Sequence, residues 1–115
     1  MDHLALAVRD CERSCRFYEK YLGFNDVRRY DDGVLMLYDA RGFAIALGPT
    51  DGDVVVPAFL HFGFRLDSAQ EVSDFRDRLV ADGVEVFDDW AEPYYVSVKC
   101  RDPDGYVLEM SWRPD

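Results

Sequence analysis

The sequence predicts an α+β fold made of two similar βαβββ modules, and three observations support this class. Residues 61–112 repeat the pattern of residues 3–49, so that His3 corresponds to His61 and Phe17 to Phe75 at the same spacing. Bulky apolar and small side chains alternate in the segments expected to be strands. Each half also contains one helix with recognisable ends. We therefore expect a strand, a helix and three further strands in each half.

Module one, residues 1–49, is expected to begin with a strand that starts at His3. Asp10 is the expected N-cap of the first helix, because its carboxylate can accept a hydrogen bond from the first helical turn, and this helix ends near Leu22. The remaining strands are expected near residues 26–30, 34–38 and 41–47. Residues 50–57, which have the composition of a linker, are expected to connect the modules.

Module two, residues 58–115, has a strong helix signal. The segment Ser68-Ala69-Gln70-Glu71 is a capping-box pattern, in which the Ser and Glu side chains bond to backbone N–H groups at the start of a helix. Strands are expected near residues 61–66, 84–88, 95–100 and 106–112. The stretch from Trp90 to Tyr94 is expected to be a loop that either covers a pocket or seals the edge of the core.

Composition and charge restrict the function classes. With 49% hydrophobic and 15% aromatic residues, the chain is expected to fold as one domain over residues 1–115. A net charge of −10 disfavours nucleic acid and anionic membranes as partners, because both bind positive surfaces. The N-terminus shows no basic or apolar targeting segment, so we expect a cytoplasmic protein. Three cysteines without CxxC spacing do not suggest disulfides, and Cys11 and Cys15 are expected in the core.

Alternation along the strands separates two faces of the predicted sheet. One face carries bulky apolar side chains and must pack on the helices, which therefore lie on the outer side. The other face carries small residues, both histidines of the chain and one carboxylate, namely His3, His61 and Glu109. Imidazole and carboxylate are accepted by divalent transition metals, and two His with one carboxylate leave coordination positions open for chemistry. A face rich in Ala and Gly leaves room for a ligand beside such a site.

These features resemble the vicinal oxygen chelate superfamily, which includes glyoxalase I, bleomycin-resistance proteins, fosfomycin-resistance proteins and extradiol dioxygenases. The resemblance rests on the paired βαβββ halves, on the His-x-x-x-x-Val/Leu openings, and on the ending Asp102-Pro103-Asp104-Gly105 followed by Glu109. It extends from His3 to Trp112. It implies that the modules form a curved mixed β-sheet with helices on the outer face. It also implies a homodimer, with exchange of modules between the chains as one arrangement.

The resemblance further implies a metal site. In it His3, His61 and Glu109 would be the metal ligands. Ala46 takes the position of the fourth glyoxalase I ligand, and Ala5 stands where fosfomycin-type proteins carry a hydroxyl residue. Because alanine cannot coordinate a metal, the four-ligand site is not preserved, and three ligands with open positions remain.

The same face is expected to carry the substrate pocket. Alternation in the seventh strand puts Tyr95, Ser97 and Lys99 on the side of the ligands. Lys99 would bind a substrate carboxylate or phosphate, or else be a solvated edge lysine, and either Tyr95 or Lys99 could serve in acid–base catalysis beside Glu109. The predicted pocket residues are Ala5, Ala46, Ser97, Lys99 and Trp90.

Two functions stay open at this point. The first is a divalent-metal-dependent enzyme acting on a small molecule chelated through vicinal oxygens, with lyase or isomerase, dioxygenase and thiol-transferase chemistry as alternatives. The donor set suits Fe2+, Mn2+, Zn2+, Ni2+ and Co2+ alike. The second is a metal-independent protein that binds and sequesters a small molecule, such as an antibiotic, in the manner of bleomycin-resistance proteins.

Overall fold

The computed structural model describes residues 1–115 as two compact units, residues 1–55 and residues 56–115. The first unit contains β1 (His3–Val8), α1 (Cys11–Leu22), β2 (Asp26–Arg29), β3 (Leu35–Tyr38) and β4 (Ala44–Pro49). The second contains β5 (His61–Arg65), α2 (Ala69–Ala81), β6 (Val86–Glu92), β7 (Tyr95–Arg101) and β8 (Val107–Trp112). The expected α+β class and the two βαβββ modules are therefore confirmed. Neither helix has the length and hydropathy needed to cross a bilayer.

Hydrogen bonding joins the strands within each module, so that each module has its own four-stranded mixed sheet. The strand orders are β1-β4-β3-β2 and β5-β8-β7-β6. The first and last strands of a module pair in parallel, and the other neighbours are antiparallel. A parallel pair requires a long connection, which the helix and the two intervening strands supply. This topology brings the opening histidine segment of each module against its final strand.

The two parallel pairs have the same register, which extends the sequence repeat into the sheets. In the first module Ala5 pairs with Ala46, and in the second Gly63 pairs with Glu109. Ala46 is therefore the structural counterpart of Glu109. The carboxylate that the second module presents on this face is replaced by a methyl group in the first.

Local capping interactions explain the helix boundaries. The Asp10 carboxylate accepts a backbone N–H of the first turn of α1 at 3.1 Å, and Gly23, with φ of 71°, ends that helix in the left-handed conformation. Ser68 Oγ accepts the N–H of Glu71 at 3.1 Å, as the capping box predicts. The Glu71 carboxylate, however, accepts the N–H of Asp67 at 2.8 Å, one residue before the expected partner.

Each helix packs on the bulky face of its own sheet, as the alternation predicted. The most deeply buried large side chains include Val8, Tyr18, Leu37 and Leu47 in the first module and Val72, Leu79, Leu108 and Met110 in the second. Burying such side chains contributes about 1.5–3 kcal/mol each. Of the cysteines expected in the core, Cys15 is buried and Cys11 is half-buried.

Strand β6 differs from the prediction. The segment from Trp90 was expected to be a loop, but Trp90 pairs with Ser97 and the strand continues to Glu92, leaving a two-residue turn before β7. The register shifts between Phe87 and Trp90, where Asp88 adopts a left-handed φ of 49°. This β-bulge interrupts the two-residue alternation, and pairing with β7 outweighs the low strand propensity of the aspartates.

Candidate functional site

The small-residue face of the second module carries a pocket of about 360 Å³. Its walls come from the three strands β6, β7 and β8. The lining residues are Asp88, Trp90, Tyr95, Ser97, Lys99 and Glu109. Lys99 pairs with Glu109 across the β7–β8 ladder, so the two charged side chains start from opposed positions on one face. The structure thus brings together five of the predicted site residues and adds Asp88.

His61 meets Glu109 at one side of this site. Imidazole Nε2 lies 3.7 Å from Glu109 Oε1, and the two side chains are 26% and 17% exposed. This separation is too long for a good hydrogen bond. It is close to the distance of about 3–3.5 Å that separates two ligands of one ion when each bond is about 2.1 Å. Gly63, the strand partner of Glu109, has no side chain, and a Cβ added there would make ordinary van der Waals contact with Oε1 at 4.0 Å.

The hydrogen bond of the other ring nitrogen of His61 determines the tautomer of the neutral ring. Nδ1 lies 3.0 Å from the backbone carbonyl oxygen of Phe59. A carbonyl oxygen only accepts hydrogen bonds, so in the neutral ring Nδ1 carries the proton and Nε2 presents its lone pair toward Glu109. A metal-ligating histidine is commonly held in this way by a carbonyl group. The donor chemistry of His61 and Glu109 therefore fits a divalent metal ion.

Tyr95 orients the carboxylate from its other side. Its hydroxyl group donates a hydrogen bond to Glu109 Oε2 at 3.0 Å, while Oε1 faces His61. Hydrogen bonds to an ionised acceptor are stronger than those between neutral groups. The two carboxylate oxygens are thus assigned to different neighbours, and the rotation of the Glu109 side chain is restricted.

Lys99 supplies positive charge to the pocket. Its Nζ lies 3.1 Å from Asp88 Oδ2, and the lysine side chain is 17% exposed whereas the aspartate is 64% exposed. The bulge turns Asp88 toward the pocket, while Asp89 bonds to Arg76 of α2 on the opposite face. Asp88 is not among the predicted site residues. Two consecutive aspartates inside a strand were the available signal, since Asp has low strand propensity and tolerates the left-handed region.

Trp90 and Ser97 complete the lining of the pocket. They are cross-strand partners on β6 and β7, and both side chains line the cavity. Ser97 is buried, whereas 53% of Trp90 is exposed, which leaves much of its ring open to solvent. An exposed indole beside a polar cavity provides a flat surface on which a planar or apolar part of a ligand can pack.

The predicted site residues of the first module are His3, Ala5 and Ala46. His3 begins β1 with 66% of its side chain exposed, and its Nδ1 lies 2.6 Å from Asp2 Oδ1. This hydrogen bond lowers the pKa of Asp2. Ala5 and Ala46 are strand partners, as described above. No group of three or more His, Cys, Asp or Glu residues in the chain is placed to hold a metal. The three-ligand set stays a prediction, and the structure shows only that His61 Nε2 lies 3.7 Å from Glu109 Oε1.

Two of the three cysteines are buried and are therefore poor nucleophiles. Burial, together with a hydrogen bond to Glu19, raises the pKa of Cys15 to about 12. Burial likewise raises the pKa of Cys100 to about 12, and this residue follows Lys99 on the side of β7 that faces the helix. Both thiols therefore stay protonated near neutral pH.

Comparison with known proteins agrees with this architecture. Residues 1–110 match the family model described as the glyoxalase/bleomycin resistance protein/dioxygenase superfamily. The chain is 33% identical to an uncharacterized protein of Pseudomonas aeruginosa, with 97% of this chain and 87% of that protein aligned. It is 30% identical to a probable trivalent organoarsenical cleaving enzyme of Bacillus subtilis, with 94% of this chain and 76% of that protein aligned.

Solved structures show the same fold. A possible glyoxalase from Bacillus cereus superposes with a TM-score of 0.83 at 26% identity, covering 96% of both chains. A mutant fosfomycin resistance protein from Listeria monocytogenes, solved with Mn(II) and 1S,2S-dihydroxypropylphosphonic acid, has a TM-score of 0.81 at 20% identity, covering 96% of this chain and 86% of that one. The second likeness shows the fold alone. The family match, together with the two βαβββ modules, confirms the expected resemblance, and the chain belongs to the glyoxalase/bleomycin resistance/dioxygenase superfamily.

Proposed function

We propose that this protein is a divalent-metal-dependent enzyme that acts on a small molecule held through two vicinal oxygen atoms. His61 and Glu109 are proposed as ligands, with His3 as the third on the basis of its repeat position. The observation that carries the proposal is the orientation of His61, whose Nε2 faces Glu109 Oε1 while Nδ1 is engaged by a backbone carbonyl. Membership of a superfamily named for glyoxalases and dioxygenases as well as for bleomycin resistance proteins is compatible with an enzymatic role.

A divalent cation at this position supplies Lewis-acid stabilisation of negative charge on substrate oxygens. The other functions fall to side chains. Lys99 binds an anionic oxygen of the substrate, because its side chain is mostly buried beside the pocket and its partner Asp88 is mostly exposed and replaceable. Trp90 packs against the body of the substrate. The Tyr95 hydroxyl group holds a proton at the pocket surface, next to Glu109, and is the proposed acid–base group.

Among the reaction classes that remain, a lyase-type cleavage is the one to assay first. The relative from Bacillus subtilis is named for the cleavage of trivalent organoarsenicals, and it aligns with 94% of this chain. Trivalent organoarsenicals are therefore the first substrates to offer to the purified protein. Dioxygenase and thiol-transferase activities are the next alternatives, and each requires its own cosubstrate, dioxygen or a low-molecular-weight thiol.

Metal content tests the proposal without any assumption about the substrate. Untagged wild-type protein, purified without chelator and incubated with Fe2+, Mn2+, Zn2+, Ni2+ or Co2+, is dialysed and analysed by plasma mass spectrometry beside Glu109→Gln and His61→Ala. Glu92→Gln is the matched control, because it removes an exposed carboxylate near the end of β6. We expect close to one metal per chain in the wild type and in the control, and a large loss in the two ligand variants. Equal metal content in Glu109→Gln and wild type would show that this carboxylate is not a ligand.

A second function has its own supporting observation. The pocket carries two carboxylates, Asp88 and Glu109, against the single cation of Lys99. With the exposed ring of Trp90 beside them, such a surface suits a cationic aromatic compound. This arrangement favours a metal-independent binding protein of the antibiotic-sequestering type. Titration of tryptophan fluorescence with a panel of cationic aromatic compounds in the presence of chelator separates the two functions. Micromolar binding that added metal leaves unchanged supports sequestration.

The assembly and location stay predictions. We propose a homodimer, with exchange of modules between chains as one arrangement, in the cytoplasm. Light scattering coupled to size-exclusion chromatography measures the mass in solution, and a value near 13.3 kDa would contradict the dimer.

A further inference from the structure

The turn that precedes His61 has an uncommon residue at its most restricted position. Leu60 N–H donates to the Pro57 carbonyl oxygen at 3.2 Å, which closes a four-residue turn, and Phe59 at its third position has φ of 72°. A turn with positive φ only at this position follows the type II pattern, which normally requires Gly or Asn there. A bulky L-residue in the left-handed region is strained. The residue preferences of turns therefore do not explain why Phe occupies position 59.

Burial does not account for Phe59 either, because 91% of this residue is exposed. Two contacts connect it to His61. Its carbonyl oxygen lies 3.0 Å from His61 Nδ1, and its ring stands edge-on to the imidazole, with centroids 5.6 Å apart and planes at 80°. Both the backbone and the side chain of Phe59 thus act on one imidazole.

We infer that Phe59 is a positioning residue for His61. The left-handed backbone turns the Phe59 carbonyl onto Nδ1, which holds the neutral ring in the Nδ1–H tautomer with Nε2 directed at Glu109 Oε1. Strained backbone conformations persist mainly where the surrounding structure and function require them. The other non-glycine residue with positive φ, Asp88, also lies at this site. The importance of the tautomer for metal binding rests on the proposed function, whereas the tautomer itself does not.

The tautomer can be measured directly, because the chain has only two histidines. Long-range 1H–15N NMR spectra of 15N-labelled, metal-free protein are recorded in chelator at a pH about 1.5 above the ordinary histidine pKa of about 6.5. A His3→Asn variant assigns the two sets of imidazole signals. The wild type is expected to show His61 mainly as the Nδ1–H tautomer. A predominant Nε2–H tautomer would overturn the inference.

Two substitutions distinguish the effect of the backbone conformation on His61 from the effect of the phenyl ring. Phe59→Gly and Phe59→Val both remove the ring, but Gly occupies the left-handed region freely whereas Val strongly disfavours it. We expect Phe59→Gly to keep the Nδ1–H tautomer of His61 and Phe59→Val to lose it. The affinity for Mn2+ or Zn2+, measured by titration, should fall about 10- to 100-fold in Phe59→Val relative to Phe59→Gly, as for other groups that orient a ligand.

The outcomes distinguish this inference from the proposed function. If Phe59→Val and Phe59→Gly both keep the tautomer population of the wild type, the positioning role is overturned. If no metal binds to any of the proteins while the tautomer still follows the substitution, the positioning role is supported and the metal site is refuted. If the amide spectrum shows that Phe59→Val is unfolded, Phe59→Ala takes its place, since Ala retains the Cβ that opposes positive φ. The same comparison with Phe59→Gly then decides.

Discussion

Replacing Asp88 by Asn removes one negative charge from the pocket and changes little else. Asn occupies the left-handed region about as readily as Asp, so the backbone of the bulge, with φ of 49°, is retained. The amide has the same shape as the carboxylate. The principal change is therefore the loss of the ionic partner that now lies 3.1 Å from Lys99 Nζ.

The exposure of the two side chains determines the size of the effect. Because Asp88 is 64% exposed, water screens the pair, and its contribution to stability is about 1 kcal/mol or less. An anion that binds Lys99 in the wild type must displace this carboxylate, whereas in Asp88→Asn it does not. Recovering about 1 kcal/mol corresponds to roughly a fivefold gain in affinity. The free energy of unfolding should fall by no more than about 1 kcal/mol.

Fluorescence titration with inorganic phosphate at low ionic strength, in chelator, measures this affinity through Trp90. A Trp112→Phe background leaves Trp90 as the single reporter. Glu92→Gln controls for the general loss of one negative charge, and Lys99→Gln should abolish the phosphate-dependent signal. An unchanged or lower affinity in Asp88→Asn, or an equal gain in Glu92→Gln, would refute the reasoning that Asp88 competes for Lys99.

Three further predictions concern neighbouring features. Tyr95→Phe removes the hydrogen bond to Glu109 and should lower the free energy of urea unfolding in chelator by about 1 kcal/mol; an unchanged midpoint would contradict the role of that bond. Ser68→Ala removes the N-cap of α2 and should cost about 1 kcal/mol in the same experiment, while metal content stays at the wild-type level. Burial raises the pKa of Cys15 and of Cys100 to about 12. Both thiols should therefore resist Ellman's reagent at pH about 8 in the native protein and react after unfolding. Rapid reaction of all three cysteines in the native protein would refute the burial.

The helices and the faces of the strands could be predicted because their signals are local. A side chain able to cap a helix precedes each helix, and the observed starts at Cys11 and Ala69 follow Asp10 and Ser68 directly. Alternation with period two needs no knowledge of the tertiary fold, so it also predicted that Lys99 lies on the face of Glu109.

The parts that were missed depend on contacts distant in sequence. Strand β6 extends through Trp90 because β7 supplies its hydrogen-bond partners, and the bulge at Asp88 shifts the alternation by one residue. The orientation of His61 depends on a positive φ at Phe59, which residue preferences argue against. The resemblance implied that His61 and Glu109 meet, whereas the residue pattern alone did not. The structure brings them together through the parallel pairing of β5 with β8.

Because the two sheets have the same register, Ala46 of the first module corresponds to Glu109 but carries no polar group. Ala46 stands against Ala5 in the ladder as Glu109 stands against Gly63, so the backbone there already presents a side chain to the corresponding face. In a duplicated fold of this kind, the two copies can share a backbone geometry without sharing the reactive side chains. One copy can retain the reactive group while the other keeps only the scaffold. Residue 46 is therefore the position of the first module at which a carboxylate would correspond to Glu109.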